Sequence, residues 1–367
     1  MYSIHVSRLC HMSVVTHPGA PTRASVSREK PQMCHGARCD AVRSPTLPPT
    51  KGGACRNMFS PTLTVIDAFV TELVSTFNKA YPSAESSQSS VFEQSARMAL
   101  EALTNSDCSY HDINHTIMVT DVGQAILWGR LMSQGDVGAE DWIHSLLAML
   151  YHDIGFVRGI LKGDRGGRYI VNEFGDTAIP PPGATDAYMA PYHVTRSCLF
   201  VKERFATEHA IDAGVLIHNI EMTRFPVPTD AFYQRVGDYA GLVRAADLIG
   251  QMADPQYIQK LSRLYTEFSE TGEAERLGYA NAGELRDEYP SFFFERVRPY
   301  ISEGLRYLRK TQEGQLWIAN LFSHVYAEQH CEPSYGPERR LRPDGDTNYQ
   351  RRSTDVAPPK VAFSRKG

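Results

Sequence analysis

Between residues 62 and 329, apolar side chains recur at three- and four-residue steps, the period that gathers them on one side of a helix. No segment alternates apolar and polar residues convincingly enough to predict a half-buried strand. The first stretch, 62–79, sets Val65, Ile66, Phe69, Val70, Leu73, Val74 and Phe77 at this spacing and stops before Pro82. Further helices are predicted over 91–103, 111–132, 139–156, 193–205, 208–219, 232–252, 256–269, 282–287, 292–310 and 314–329. Residues 162–190 break the pattern with Gly163, Gly166, Gly167, Gly175 and Pro180-Pro181-Pro182, and predict an irregular insertion that covers a cleft as a lid. The expected fold class is all-α, an orthogonal helical bundle with one core over residues 58–330.

The two ends differ from this body. Residues 1–57 carry eight Lys/Arg against Glu29 and Asp40, with prolines and four of the seven cysteines, and show no apolar period. Such a segment cannot bury enough surface to offset its ordering entropy. It reads as a disordered or non-native extension, with translation starting at Met58. The alternative is an organelle transit peptide. Residues 331–367 read as a disordered tail. The net charge of −4 includes these basic ends, so the body is more acidic and no nucleic-acid surface is expected. No run of about 18 apolar residues predicts a membrane span, and a cytoplasmic protein is expected. Cys10, Cys34, Cys39 and Cys55 lack the paired spacing of a zinc site. Cys108, Cys198 and Cys331 are scattered and read as reduced thiols. Oligomeric state is not legible.

Chemistry concentrates in Tyr110-His111-Asp112-Ile113-Asn114-His115, in Tyr151-His152-Asp153, and in Asp247 within an apolar helical stretch. Imidazole and carboxylate together are the donors that borderline divalent ions favour. His111 and His115 stand four apart, one turn on a shared helix face. His152 and Asp153 are adjacent, so on a helix they diverge by about 100° and would meet one ion only at its flank. A carboxylate inside an apolar helix face is costly unless paired or metal-bound. For Asp247 the competing reading is an ion pair with Arg244. His144 reads as an ordinary packed histidine.

In this order the residues resemble the HD superfamily of metal-dependent phosphohydrolases. Tyr110-His111-x-x-x-His115-x-x-x-Val119 is similar to the first signature of class I cyclic-nucleotide phosphodiesterases, and Asp247-Leu248 to their downstream Asp-Leu. The resemblance implies His111 as general acid, and His115, His152, Asp153 and Asp247 as ligands of a divalent ion (Mn, Mg, Zn or Fe). Three features depart from that class. Asp112 replaces an asparagine. Ile154-Gly155 follows His152-Asp153, as in bacterial HD proteins. Tyr289 takes the place of the base-reading glutamine, and a tyrosine cannot make an amide's paired bonds to a purine edge. Pro191-Tyr192-His193, Ile217-His218-Asn219-Ile220-Glu221 and Phe225-Pro226 resemble the HD-GYP pattern, which makes His193 and His218 candidates for a second ion. His209 is a weaker one.

The expected activity is hydrolysis of a small-molecule phosphate ester, foremost a nucleotide-related phosphodiester. Arg158 and Arg196 are candidate phosphate ligands, Tyr289 a candidate substrate contact, and Asp112 the group that raises the pKa of His111. Alternatives are nucleotide monoester or triphosphate hydrolysis on one ion, and a di-iron oxygenase on the same scaffold.

Overall fold

The computed structural model describes residues 59–330. The expectations about residues 1–57, Met58, the four N-terminal cysteines, Cys331 and the C-terminal tail lie outside them. The described chain is all-α, with thirteen α-helices and one two-stranded hairpin. Helix α1 (Pro61–Ala80) starts on Ser60, whose hydroxyl accepts from the Leu63 N–H, and buries Ile66, Val70, Leu73 and Phe77 against α2 (Ser86–Leu103). The centre of the molecule is α3 (Ile113–Gln134), which is buried on nearly every side and ends at Gly135 with a φ of 69°. Beside it runs α4 (Ala139–Tyr151), whose residues from Trp142 to Tyr151 are all buried. The Tyr151 hydroxyl donates to Ser95 O at 2.8 Å and so joins α4 to α2.

Helix α4 ends earlier than its apolar run predicts. His152 keeps helical angles as the cap, Asp153 turns to φ −103° and ψ 2°, and a 3₁₀ turn follows at Ile154–Phe156. The insertion then forms a small antiparallel hairpin, β1 (Tyr169–Ile170) with β2 (Thr177–Ala178). The predicted lid is instead a bracket. The Asp164 side chain lies fully buried in an ion pair with Arg196, its oxygens accept from the N–H groups of Gly159 and Ile170, and of residues 162–190 only Ala190, at the end, lines the main cavity.

Two helices, α5 (His193–Arg204) and α6 (Ala213–Glu221), pack together, and α6 also lies on α4. Helix α7 (Tyr239–Met252) starts on Asp238, which accepts from the Gly241 N–H at 2.9 Å, and makes its main contact with α3. Then come α8 (Tyr257–Thr271), α9 (Glu273–Leu277), α10 (Ala282–Asp287) and α11 (Tyr289–Phe292). The single helix expected over 292–310 is broken: π and 3₁₀ turns around Pro299 separate α11 from α12 (Ser302–Leu308), since a proline cannot supply the N–H the ladder needs. Helix α13 (Gln312–His330) closes the core. Among the described residues no helix is long and apolar enough to cross a membrane. Cys108 and Cys198 are free thiols.

Candidate metal centre

Asp112 caps α3, accepting from the N–H groups of Asn114 (2.9 Å) and His115 (3.1 Å). His111 therefore precedes the helix, whereas His115 sits in its first turn, 5% exposed. Their rings still lie together, with centroids 5.5 Å apart. Asp112 is occupied as a cap; the carboxylate on His111 is that of Glu267, from α8. Glu267 Oε2 lies 2.6 Å from His111 Nδ1, and Oε1 accepts from the Tyr110 N–H at 2.6 Å. Burial opposes a charge on His111, but Glu267 outweighs it and lifts the imidazole from 6.5 to about 9. Glu267 itself is held below its ordinary value: burial opposes its charge, and His111 together with the backbone donors prevails.

The end of α4 brings His152 and Asp153 to the same point. His152 Nδ1 donates to Met149 O at 2.7 Å, which leaves Nε2 with its lone pair facing inward. The turn after it is held from α5: Ser197 Oγ donates to His152 O at 2.6 Å and accepts from the Gly155 N–H at 2.9 Å. A Cβ at Gly155 would collide with His193 O and stand 2.6 Å from Ser197 N, so only glycine permits this packing.

Asp247 arrives from α7 by a similar close approach. A Cβ on Gly250, one turn along from Asp247, would stand 2.6 Å from Val119 Cα, one turn along from His115. The absence of a side chain there lets the two backbones meet and sets Asp247 beside His115. Arg244, the competing partner for Asp247, turns the other way: it donates to Tyr233 O and, at 2.7 Å, to Arg235 O, and covers the Tyr300 ring.

Four donors therefore converge from three segments. Asp153 Oδ2 lies 3.3 Å from His115 Nε2 and 3.2 Å from His152 Nε2. Asp247 Oδ1 lies 3.6 Å and 3.5 Å from the same two nitrogens. Donors held at about 2.0–2.2 Å from one ion stand roughly 3–3.6 Å apart, so the separations of Asp247 from the two imidazoles suit a shared cation, while Asp153 lies against the same imidazoles outside that three-residue group. Among the described residues, buried His152 Nε2 and Asp153 Oδ2 have only the other members of this cluster within reach. Burial alone would discharge both groups. Instead the carboxylates lift His152 well above 6.5, and the imidazoles, His152 foremost, hold Asp153 well below 3.8. Without a metal a proton on His152 takes the cation's place. The His115–His152–Asp247 group can hold a metal ion.

The remaining candidates divide. His193 is brought in: Nδ1 lies 2.6 Å from Ala190 O and Nε2 3.7 Å from the outer oxygen of Asp153. The Phe156 ring is stacked between His111 (4.6 Å) and His193 (4.4 Å). His218 is not brought in; it is exposed, 3.1 Å from Arg235 Nη2 and edge-on to Phe232. His209 is exposed. His144 is a packed histidine, bonded to Glu140 O and the Asp212 N–H. The expected phosphate role of the two arginines does not suit their positions. Arg196 spends all five N–H donors on Gly155 O, Val157 O, Ile170 O and Asp164, and its side chain is fully buried. Arg158 is tied to Asp186, Ala184 O and Asp107. Tyr289 does line the cavity above the centre.

Glu267 and Phe156 are absent from the residues singled out in the sequence. A signal for Glu267 existed: it follows Leu261 and Leu264 at three-residue steps, a carboxylate on the apolar stripe of α8.

Fold and site together define an all-α protein with a buried His/Asp group fit for a metal ion. The sequence model of the Npun_R2479-like family matches residues 59–331, and the chain belongs to that family. No curated protein and no solved structure matches the chain.

Proposed function

We propose that the protein is a metal-dependent phosphohydrolase of the HD type, acting on a phosphate ester. One observation carries this reading: His115 and His152, in the order the HD resemblance implies, lie 3.2–3.6 Å from the carboxylates of Asp153 and Asp247 in a buried position that no Lys or Arg among the described residues neutralises. A divalent ion held there supplies Lewis acidity and makes a bound water acidic near neutral pH.

The chain's own groups supply the rest. His111, charged at pH 7 because Glu267 grips Nδ1, presents the other ring edge to the cavity and donates its Nε2 proton to the departing oxygen of the ester. Glu267 keeps the ring in one tautomer and orientation. Phe156 fixes the plane of the same ring by stacking. The decisive experiment strips the full-length protein with chelator, restores Mn²⁺, Fe²⁺, Zn²⁺ or Mg²⁺, and assays aryl phosphodiesters and phosphomonoesters. Metal-restored turnover that disappears in the double variant His152→Ala/Asp153→Ala is expected. Undiminished turnover in that variant would refute the assignment.

A further inference from the structure

The cavity above the centre encloses about 290 Å³, and His111, His115, Asp153, His193 and Asp247 form one end of it. The other end is apolar: Leu261, Leu264 and Phe268 of α8, Leu248 and Met252 of α7, and Phe292 of α11 line it. Among the described residues its lining contains no lysine and one arginine, Arg276, already in an ion pair with Glu273 of the same lining; Glu288 adds a further negative charge. A di- or triphosphate would bring charges here that no free cation meets, and such charges are expensive to bury. The neutral polar side chains in the lining are few: Gln251 bonds the Tyr257 hydroxyl, and the Thr223 hydroxyl donates to Ile220 O at 2.8 Å.

Resting on the phosphohydrolase reading, we propose that the substrate is a monophosphate ester or diester of an apolar group, an aryl, medium alkyl or isoprenoid chain, with the phosphate at the His/Asp centre and the chain along α8. A single phosphate matches the one cationic position the centre provides. The apolar remainder gains from burial in proportion to its carbon count.

The test uses non-hydrolysable phosphonates with the Mn²⁺-loaded full-length protein, titrated calorimetrically: methyl-, butyl- and octylphosphonate, with AMP and ADP beside them. Octylphosphonate should bind at least about a hundredfold tighter than methylphosphonate, and tighter than either nucleotide. Leu264→Asn should reduce the octyl-to-methyl ratio at least fivefold. A second arm reads the cavity without metal. In chelator, naphthalene should bind, and Leu264→Asn should weaken it about fivefold. A flat chain-length series, or AMP binding as tightly as octylphosphonate, would overturn the inference even where metal-dependent hydrolysis persists. Intact naphthalene binding with no metal-dependent hydrolysis would sink the phosphohydrolase reading and, with it, the ester.

Discussion

Replacing Asp153 by asparagine tests the centre with little change of shape. Asparagine matches the carboxylate in size but carries no charge, and Asp153 Oδ2 is the atom nearest to both His115 Nε2 and His152 Nε2. For the wild type, an ion at a hundred times its dissociation constant stabilises the native state by about 2.7 kcal/mol. The described body has 272 residues. At roughly 2 cal/mol/K per residue its unfolding entropy near the midpoint is about 0.6 kcal/mol/K. The thermal midpoint should thus rise by about 5 °C on adding metal to stripped protein. The asparagine variant should move by less than about 1 °C at the same concentration. The shift should also depend on pH. In stripped protein His152 is charged, with its pKa raised above 6.5, so its contribution is complete below 6.5 and fades as pH rises through the higher folded-state value. Metal has to displace that proton, so the metal-induced shift should be larger at pH 8 than at pH 6. Differential scanning fluorimetry with chelated and reloaded samples measures both effects. If Mn²⁺, Fe²⁺, Zn²⁺ and Mg²⁺ all leave the midpoint unmoved, or if the asparagine variant responds as the wild type does, the convergence of donors has been misread.

Glu267→Gln should let His111 fall from about 9 toward 6.5, moving the alkaline limb of kcat/KM acidward by about two pH units. The same pair stabilises the fold fully below 6.5 on the histidine's side and loses that contribution as pH rises through about 9; on the glutamate's side it is lost as pH falls below 4.5. Gly250→Ala should separate α7 from α3, weakening metal binding about tenfold and costing roughly 1–3 kcal/mol of stability, read by calorimetry and denaturant titration. Arg196→Met should strand buried Asp164 and cost about 3–5 kcal/mol, read by denaturant titration of stripped protein. Elemental analysis should find one tightly held ion per chain, retained by His218→Ala, because His218 lies on the surface with Arg235 and does not reach Asp153.

Helix existence was legible wherever an apolar stripe was long: α1, α2, α3, α8 and α13 lie within a few residues of expectation. Helix ends were less so, and the ends carry the site. Tyr151-His152-Asp153-Ile154-Gly155-Phe156 continues an apolar pattern without a breaker, so the sequence predicted a helix through Phe156. The break comes from α5, where Ser197 and Arg196 take up the backbone groups of His152, Gly155 and Val157. This tertiary capping has no local signature. The same limit explains Arg158 and Arg196: an arginine one turn from a catalytic motif looks like a phosphate ligand until Asp164 and Asp186 are seen opposite it. The grouping of His115, His152 and Asp247 was readable because a histidine or carboxylate inside an apolar helix run is rare without a partner.

The adjacency of His152 and Asp153 looked awkward for one ion while both were placed on a helix, about 100° apart. The break in α4 resolves it. With His152 at the last helical angles and Asp153 rotated out of them, both side chains reach the same point, and Oδ2 of Asp153 comes within 3.2 Å of its neighbour's Nε2. The outer oxygen, Oδ1, is left toward His193. Two carboxylates and two imidazoles, three of the four residues nearly inaccessible to water and Arg244 turned away, form a group whose net charge is negative unless a cation enters. A solvated surface would tolerate that charge; this interior needs it offset, by a proton on His152 or by a metal ion at the His115–His152–Asp247 group. The capacity to hold a cation thus follows from how α4 is terminated, and the helix end, more than any single donor, makes the centre.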